Sequence, residues 1–220
     1  MPEHFILVTR EFKPQTHLLE ADDVDAAYAC VQAYREAGQG LYVFFNSGDH
    51  SGASQPHRHL QLLPIERMKD GLENTERGRE WTVLADEICG REETLPFTIF
   101  TSRIGTDMSA EERHRTYLSL YKRAVRATLP GVEAAEEGEA QMSYNFAMTS
   151  TSMALCPRTA EGARISNSDG GEIGSIALNG TVLAGTALVK SKAEWDALRA
   201  RSAILLEVLR GIGVPPTSML

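Results

Sequence analysis

The sequence predicts an α+β fold built on a largely antiparallel sheet. Short apolar runs that are typical of strands alternate with segments that carry helix-capping boxes. The dipeptide Asn179-Gly180 lies between two strand-like runs and is a strong signal for a β-hairpin. The chain contains neither a GxGxxG sequence nor a Walker A sequence, so the two common parallel-sheet folds that bind phosphate are disfavoured.

The first half of the chain is predicted to contain one helix and four strands. The helix spans residues 22–37, because Val24, Tyr28 and Val31 recur at helical spacing and Gly38 supplies a stop signal. Apolar runs predict the strands, at residues 5–9, 41–45, 57–63 and 97–101. Residues 68–78 are charged and interrupted by glycine, which indicates a mobile loop.

The second half is predicted to add two helices and four strands. Ser109 and Glu112 form a capping box that opens a helix ending near residue 129. Ser191 and Glu194 open the last helix, which is predicted to end before Gly211. Strands are predicted at residues 144–149, 153–157, 173–178 and 182–190, and a Ser/Gly/Asp-rich loop at residues 160–171.

The composition argues against several classes of protein. The 220 residues carry a formal net charge of −8, whereas a general nucleic-acid binder needs a basic surface. Cys30, Cys89 and Cys156 are far apart and form no CxxC pair, so a disulfide framework is not expected and a reducing cytoplasm fits the chain. No apolar stretch reaches the roughly 18–20 residues of a membrane span, so no membrane partner is predicted.

The most informative segment is residues 51–61, in which a Gly/Ser-rich turn precedes two histidines and a glutamine. Residues two apart on a strand point to the same face, so His57, His59 and Gln61 are expected to face one site. Backbone N–H groups in such a turn form an anion-binding nest, and a neighbouring imidazole can attack phosphorus. The pattern therefore indicates transfer of a nucleotidyl group through a covalent histidine intermediate.

Two other interpretations of the histidine pair stay open at this point. Imidazoles at i and i+2 can share a metal ion, but a cupin-like site needs a glutamate about four residues after the second histidine. Glu66 instead follows His59 by seven positions, so no metal ligand is predicted. The histidines can also be partly buried residues with a structural role, although Gln61 on the same face favours catalysis.

Five motifs follow one another along the chain: residues 7–16, Asn46-Ser47-Gly48, the HxHxQ turn of residues 51–61, Tyr144-Asn145 and Met148-Thr149. Together they resemble the fungal diadenosine tetraphosphate phosphorylases (ATP adenylyltransferases), a family of the histidine-triad superfamily. The resemblance covers nearly the whole chain. It implies a HIT-like α+β fold with helices flanking a mostly antiparallel sheet. Residues 1–105 would form the catalytic region, and residues 106–220 the C-terminal region that completes the nucleotide site.

The resemblance also implies a role for each candidate site residue. His59 would be the nucleophile that becomes adenylylated, Gln61 would bind the α-phosphate, and His57 would support the site. The implied substrate-binding residues are Asn46, Gly52, Ala53, Ser54, Gln55, Asn145, Met148, Thr149 and Met153. Met148 and Met153 are equally compatible with core packing, and the two asparagines with turn chemistry at strand ends.

The implied reaction is phosphorolysis of diadenosine tetraphosphate to ATP and ADP. A divalent cation, Mg²⁺ or Mn²⁺, would accompany the nucleotide, and no tightly bound cofactor is expected. The expected partners are nucleotides and inorganic phosphate, without nucleic acid. The family has a region before the strand at Phe5 that contributes a lysine, so an incomplete nucleotide pocket is expected here. A hydrolase that uses water, or a catalytically impaired nucleotide-binding paralogue, stays open as an alternative.

Overall fold

The computed structural model describes residues 3–70, 80–166 and 171–216. The strands in these residues are β1 (Phe5–Val8), β2 (Leu41–Ser47), β3 (His59–Pro64), β4 (Phe100–Arg103), β5 (Tyr144–Met148), β6 (Ser152–Pro157), β7 (Gly162–Ser166) and β8 (Glu172–Ala177). The first six form one sheet in the order β1-β3-β2-β5-β6-β4, and all neighbouring pairs are antiparallel. β7 and β8 form a separate antiparallel pair. The predicted α+β fold with a mostly antiparallel sheet is confirmed.

Helices cover both faces of the large sheet. They are α1 (Ala21–Glu36), α2 (Ile65–Met68), α3 (Leu84–Glu87), α4 (Ala110–Thr128), α5 (Lys192–Ala200) and α6 (Ser202–Ile212), with 3₁₀ turns at Glu92–Thr94 and Gly180–Ala184. α1 and α4 pack against one face, where Val43 and Phe45 of β2 point into their core. The second 3₁₀ turn, α3, α6 and the small sheet pack on the other face, where Tyr42 and Phe44 point. We call this second face the site face.

The strands of the large sheet and helices α1 and α4 lie within two residues of their predicted bounds, because local signals define their ends, except for β4, which begins three residues after its predicted start. The predicted capping box opens α4: the Ser109 hydroxyl accepts from the N–H of Glu112 at 3.2 Å, and the Glu112 carboxylate accepts from the N–H of Ser109 at 2.7 Å. Ser191 and Glu194 make the same reciprocal pair at the start of α5. The side chains of β2 point alternately to the two faces of the sheet, and both faces are covered. Every residue of this strand is therefore buried.

The predicted hairpin at Asn179-Gly180 is wrong, and so is the strand predicted at residues 182–190. The Asn179 side chain accepts from the N–H of Thr181 at 3.0 Å and caps the 3₁₀ turn instead. Val182 and Leu183 bury their side chains in the core of the site face. An Asn-Gly pair fits a hairpin and a helical cap alike, so the tertiary burial of the residues that follow decides between them.

Two further predictions near the C-terminal end are corrected. Residues 162–166, predicted as loop, pair with β8; Gly162 allows this, because a Cβ there would lie 1.8 Å from the carbonyl oxygen of Ile176. The last helix is two helices, since the backbone at Arg201 has φ −143° and ψ 86°. α5 packs on β8 and α6 on β7, a tertiary constraint that helical periodicity does not reveal.

The domain boundary predicted at residue 105 stays a prediction. The large sheet takes β1 to β4 from one side of that boundary and β5 and β6 from the other. Residues 71–78 of the predicted mobile loop and residues 167–170 of the second loop lie outside the described residues. Within the described residues, no helix has the length and apolar character to span a membrane.

Candidate active site

Three of the predicted polar residues lie in one row across the site face. Asn46 of β2 is directly opposite Asn145 of β5. On the other side of β2, Phe44 is opposite Gln61, and the same register places His59 opposite Asn46. The row His59–Asn46–Asn145 therefore runs along the end of the sheet where residues 48–58 connect β2 to β3.

The ring of His59 is oriented by a backbone carbonyl. Its Nδ1 lies 2.9 Å from the carbonyl oxygen of His57, and a carbonyl only accepts, so Nδ1 carries the proton. The lone pair is therefore on Nε2, which has no hydrogen-bond partner among the residues that the structure describes. His59 is 7% exposed. This is the tautomer that a nucleophilic imidazole requires.

His57 has a different environment from His59. Its Nε2 lies 2.9 Å from the hydroxyl of Thr9 and 3.1 Å from the carbonyl oxygen of Glu11. Its ring also lies against Phe12, with 5.4 Å between the centroids. His57 is half-buried and paired with Pro14 in an isolated bridge, so it precedes β3 and does not belong to it. The ring of His57, which is predicted to support the site, is therefore already in contact with Thr9, Glu11 and Phe12.

Gln61 lies on the site face two residues after His59, and the turn of residues 52–55 lies in the connection from β2 to β3. Gln61 is half-buried on β3 between Ile6 and Phe44, and its amide makes no hydrogen bond with any described residue. Gly52 has φ +78° and packs against the carbonyl oxygen of Leu178, so a side chain would not fit. Ala53, Ser54 and Gln55 line a cleft of about 360 Å³ together with Phe12 and Pro14 of the facing segment. Residues 52–55 are the turn that the sequence predicts to bind phosphate, and we call them the phosphate turn for that prediction.

A buried hydrogen-bond network joins the two asparagines to the phosphate turn. The amide of Asn145 donates to Oδ1 of Asn46 at 2.9 Å and to the carbonyl oxygen of Ser51 at 2.8 Å. Oδ1 of Asn46 also accepts from the N–H of Gly180 at 2.8 Å. The asparagines thus tie together β2, β5, the residue before the phosphate turn and the 3₁₀ turn. Nδ2 of Asn46 is buried without a partner among the described residues.

Arg158 supplies a buried positive charge behind this network. It is 4% exposed and donates to Oδ1 of Asn145 and to the carbonyl oxygens of Ala160, Glu161, Leu178 and Ile212. Burial lowers the pKa of the guanidinium from its usual value. Among the described residues Arg158 has no carboxylate partner, whereas the buried Arg58 pairs with Asp23 at 2.7 Å. The sequence analysis did not identify Arg158.

Gln15 is a second residue that the sequence analysis missed. It is 3% exposed, and its side-chain amide contacts both neighbouring strands. Nε2 donates to the carbonyl oxygen of Asn46 at 2.7 Å and to that of His59 at 3.2 Å, and Oε1 accepts from the N–H of His59 at 2.8 Å. Residues 7–16 belong to the motifs quoted above, but nothing in their spacing indicates these contacts.

The structure does not bring Met148, Thr149 and Met153 to His59. Met148 and Met153 point to the face opposite His59, into the core beneath α1 and α4, with 1% and 0% exposure. Thr149 lies at the far end of β5 from Asn145, about 13 Å away at the usual rise of a strand. Its hydroxyl donates to Asp86 at 2.6 Å. That these residues bind substrate stays a prediction, and in this structure core packing and a turn contact account for their positions.

Two family models match this chain. The model of the ATP adenylyltransferase C-terminal domain matches residues 93–215, which is more than half of the chain. The model of the Ap4A phosphorylase N-terminal domain matches residues 1–75. The chain belongs to the Ap4A phosphorylase (ATP adenylyltransferase) family. The resemblance that the HxHxQ turn and its flanking motifs indicated is therefore confirmed.

Relatives of this family cover nearly the whole chain. Protein APA1 of Saccharomyces cerevisiae is 28% identical over 229 residues, which are 99% of this chain and 67% of the relative. Diadenosine tetraphosphate phosphorylase 2 of the same yeast is also 28% identical, over 99% of this chain and 68% of the relative. The crystal structure of yeast Ap4A phosphorylase Apa2 matches with a TM-score of 0.75 at 24% identity, over 100% of this chain and 70% of that one. The HIT-like fold is thereby confirmed.

Proposed function

We propose that this protein catalyses phosphorolysis of Ap4A (diadenosine tetraphosphate) to ATP and ADP, with His59 as the nucleophile. Its family membership supports the reaction, and its relatives include an Ap4A phosphorylase of known structure with AMP and with Ap4A bound. The observation that carries the residue assignment is the ring of His59, whose Nδ1 is bonded to the carbonyl oxygen of His57 while Nε2 has no partner among the described residues.

The reaction divides into two displacements at one phosphorus. Nε2 of His59 attacks the α-phosphorus of Ap4A, a P–N bond forms, and the bond from that phosphorus to the bridging oxygen breaks, so ATP leaves. Inorganic phosphate then attacks the same phosphorus, the P–N bond breaks, and ADP forms while Nε2 regains its lone pair. Each displacement is in line, and the histidine splits one difficult transfer into two easier ones.

The surroundings of His59 supply hydrogen-bond donors and an apolar wall. The free amide of Gln61 lies two residues along the same face and is proposed to donate to the α-phosphate oxygens. The phosphate turn offers backbone N–H groups and the hydroxyl of Ser54 to the rest of the polyphosphate. Ile6 and Val8 lie opposite Gln61 and His59 on β1 and are 57% and 53% exposed, an apolar surface suited to an adenosine.

A divalent cation is proposed to enter with the nucleotide. Among the described residues, no group of three or more His, Cys, Asp and Glu is arranged to hold a metal ion. The phosphate oxygens of Ap4A are hard ligands that Mg²⁺ and Mn²⁺ prefer, so the substrate itself would hold the cation and its charge would offset that of the polyphosphate. This proposal requires no metal site on the protein.

The experiment combines product analysis with a trapped adduct. The protein is incubated with Ap4A labelled at the α-phosphorus, with and without inorganic phosphate. We expect ATP and ADP in equal amounts when phosphate is present, and an acid-labile label on the protein when it is absent. His59→Ala should lose both, whereas His4→Ala, which removes an exposed imidazole outside the site, should leave both unchanged.

Other outcomes would contradict the proposal in distinguishable ways. ATP and AMP formed regardless of phosphate would identify a hydrolase. Ap4A bound without turnover would identify an impaired paralogue. Label that persists in His59→Ala would assign the nucleophile elsewhere, with His57 the first residue to test.

A further inference from the structure

The pairing of β2 with β3 ends before it reaches His59, although His59 still pairs with Val8 of β1. β2 and β3 pair from Leu41 opposite Pro64 to Phe44 opposite Gln61, and the register would continue to Asn46 opposite His59. In an antiparallel pair, every second residue of a strand hydrogen-bonds to the same neighbouring strand. If the pairing continued, the backbone of His59 would therefore bond to that of Asn46. It bonds instead to the side chain of Gln15, which lies between the two strands.

The amide of Gln15 replaces the missing backbone pair. Both backbone polar groups of His59 are bonded to it: the N–H donates to Oε1 at 2.8 Å, and the carbonyl oxygen accepts from Nε2 at 3.2 Å. The same Nε2 donates to the carbonyl oxygen of Asn46 at 2.7 Å. One buried side chain therefore bonds to the backbone polar groups of both β2 and β3. It lies between the two strands and holds them apart at the end of the sheet where the phosphate turn lies.

Gln15 is itself held in place by the segment that precedes the nucleophile. Its N–H donates to the carbonyl oxygen of Pro56 at 2.8 Å, and the N–H of Arg58 donates to the carbonyl oxygen of Lys13 at 2.7 Å. Pro14 and His57 form an isolated bridge between these bonds. The carbonyl that orients the ring of His59 belongs to His57, so this short pairing and the amide of Gln15 act on the same imidazole.

We infer that Gln15 is a positioning residue for the His59 nucleophile, acting by holding the His59 peptide between two splayed strands. The inference rests on the proposed function, in which Nε2 of His59 must meet phosphorus in line. A displacement of about 1 Å in such an attack can cost about 100-fold in rate without any loss of substrate binding. Gln15 touches His59 through its backbone alone, so it affects the rate of transfer and not the chemistry of the ring.

Gln15→Glu tests the inference with almost no change of volume. The introduced carboxylate still accepts from the N–H of His59 but no longer donates to the carbonyl oxygens of Asn46 and His59. We expect the single-turnover rate of adenylylation at saturating Ap4A to fall by about 100-fold, with the KM for Ap4A within threefold of its original value. The melting temperature is measured on each sample, and all rates are taken well below it.

The matched control is Gln141→Glu. Gln141 also bridges backbone groups, since its amide donates to the carbonyl oxygen of Glu133 at 2.9 Å and accepts from the N–H of Ala135 at 3.0 Å. It lies in an exposed loop outside the site, so the rate of adenylylation should stay within about twofold. If Gln15→Glu lowers the melting temperature but leaves the rate unchanged, Gln15 is merely structural and the inference is wrong.

A pH profile separates positioning from a general loss of stability. A protonated carboxyl has one donor and one acceptor, so below its pKa the Gln15→Glu side chain can again bond to both the N–H and the carbonyl oxygen at this position. The ratio of variant to unsubstituted rate should therefore rise as the pH falls from 8 toward about 5. A ratio that does not change with pH would contradict the inference.

A second variant and the adduct controls keep the inference testable if the first variant fails. If Gln15→Glu does not fold, Gln15→Met is used, because it keeps the length and neutrality of the side chain while removing the three hydrogen bonds of the side-chain amide. An unchanged rate overturns the inference. Failure of the proposed function has a separate signature. If the unsubstituted protein forms no adduct, or His59→Ala still forms one, both proposals are wrong. If those two proteins behave as expected but the Gln15 variants keep the original rate of adenylylation, the inference alone is wrong.

Discussion

At the scale of single residues, the site depends on close contacts behind the reacting groups. Gly180 is an example: its N–H donates to Asn46, its carbonyl oxygen accepts from the hydroxyl of Tyr42 at 2.6 Å, and a Cβ would lie 2.6 Å from Phe44. The Asn46 side chain is held on one side by this glycine and on the other by Asn145. Among the described residues, none of this group is hydrogen-bonded to the ring of His59, yet Asn145 ties the group to the carbonyl oxygen of Ser51, the residue before the phosphate turn.

The same substitution at two glycines should therefore have opposite effects. Gly180→Ala is expected to lower the free energy of unfolding by about 1–3 kcal/mol, because the added methyl overpacks the core against ring and amide atoms. Gly211→Ala, inside α6 with nothing within 4 Å of a Cβ, is expected to raise it by about 0.5–1 kcal/mol. Urea unfolding of both variants checks this, and a Gly180→Ala variant as stable as the original would contradict the close packing seen here.

At the scale of elements, buried polar side chains join segments that are far apart in the sequence. Arg158 bonds the ends of β6, β7, β8 and α6 to Asn145 of β5. Arg58 joins the start of β3 to the first turn of α1 through Asp23. A buried charge that loses its partners is costly, and buried carbonyl groups that lose a donor are costly as well.

Arg158→Met should therefore destabilise the fold strongly. Removing the guanidinium leaves the Asn145 amide oxygen and several carbonyl oxygens without their donor, and we expect a loss of about 3–5 kcal/mol in the free energy of unfolding. Arg126→Met, at an exposed position of α4, makes the same chemical change and should stay within about 0.5 kcal/mol. Equal unfolding midpoints for the two variants would show that the Arg158 network contributes little.

At the scale of the whole molecule, the fold buries several groups that ionise at alkaline pH. Burial raises the pKa of Tyr42 and Tyr144 well above 10.0, and it raises the pKa of Cys156 to about 12. Burial also raises the pKa of Tyr117, whose hydroxyl bonds to that of Tyr144 at 2.7 Å. These groups are neutral in the folded protein at pH values where they ionise in the unfolded chain.

Stability should therefore fall on the alkaline side. Below the unfolded pKa values of 9.0 for cysteine and 10.0 for tyrosine both states are protonated, so these groups add no pH dependence. Above those values the unfolded state releases protons that the folded state retains, and each group lowers the free energy of unfolding by up to about 1.4 kcal/mol per pH unit. We expect a lower urea midpoint at pH 10.5 than at pH 8, and a shallower fall for Tyr144→Phe; a midpoint unchanged with pH would contradict this.

The sequence alone determined the strands of the large sheet and the capped starts of α4 and α5, because period-2 alternation and capping boxes act over a few positions. The tertiary structure alone decided which side chains meet. Gln15 reaches His59 from 44 positions away, and Met148 turns from the predicted site into the core. Asn179-Gly180 caps a helical turn because the residues after it are buried. Such contacts depend on which faces of the helices and strands pack together, and local sequence patterns do not indicate this.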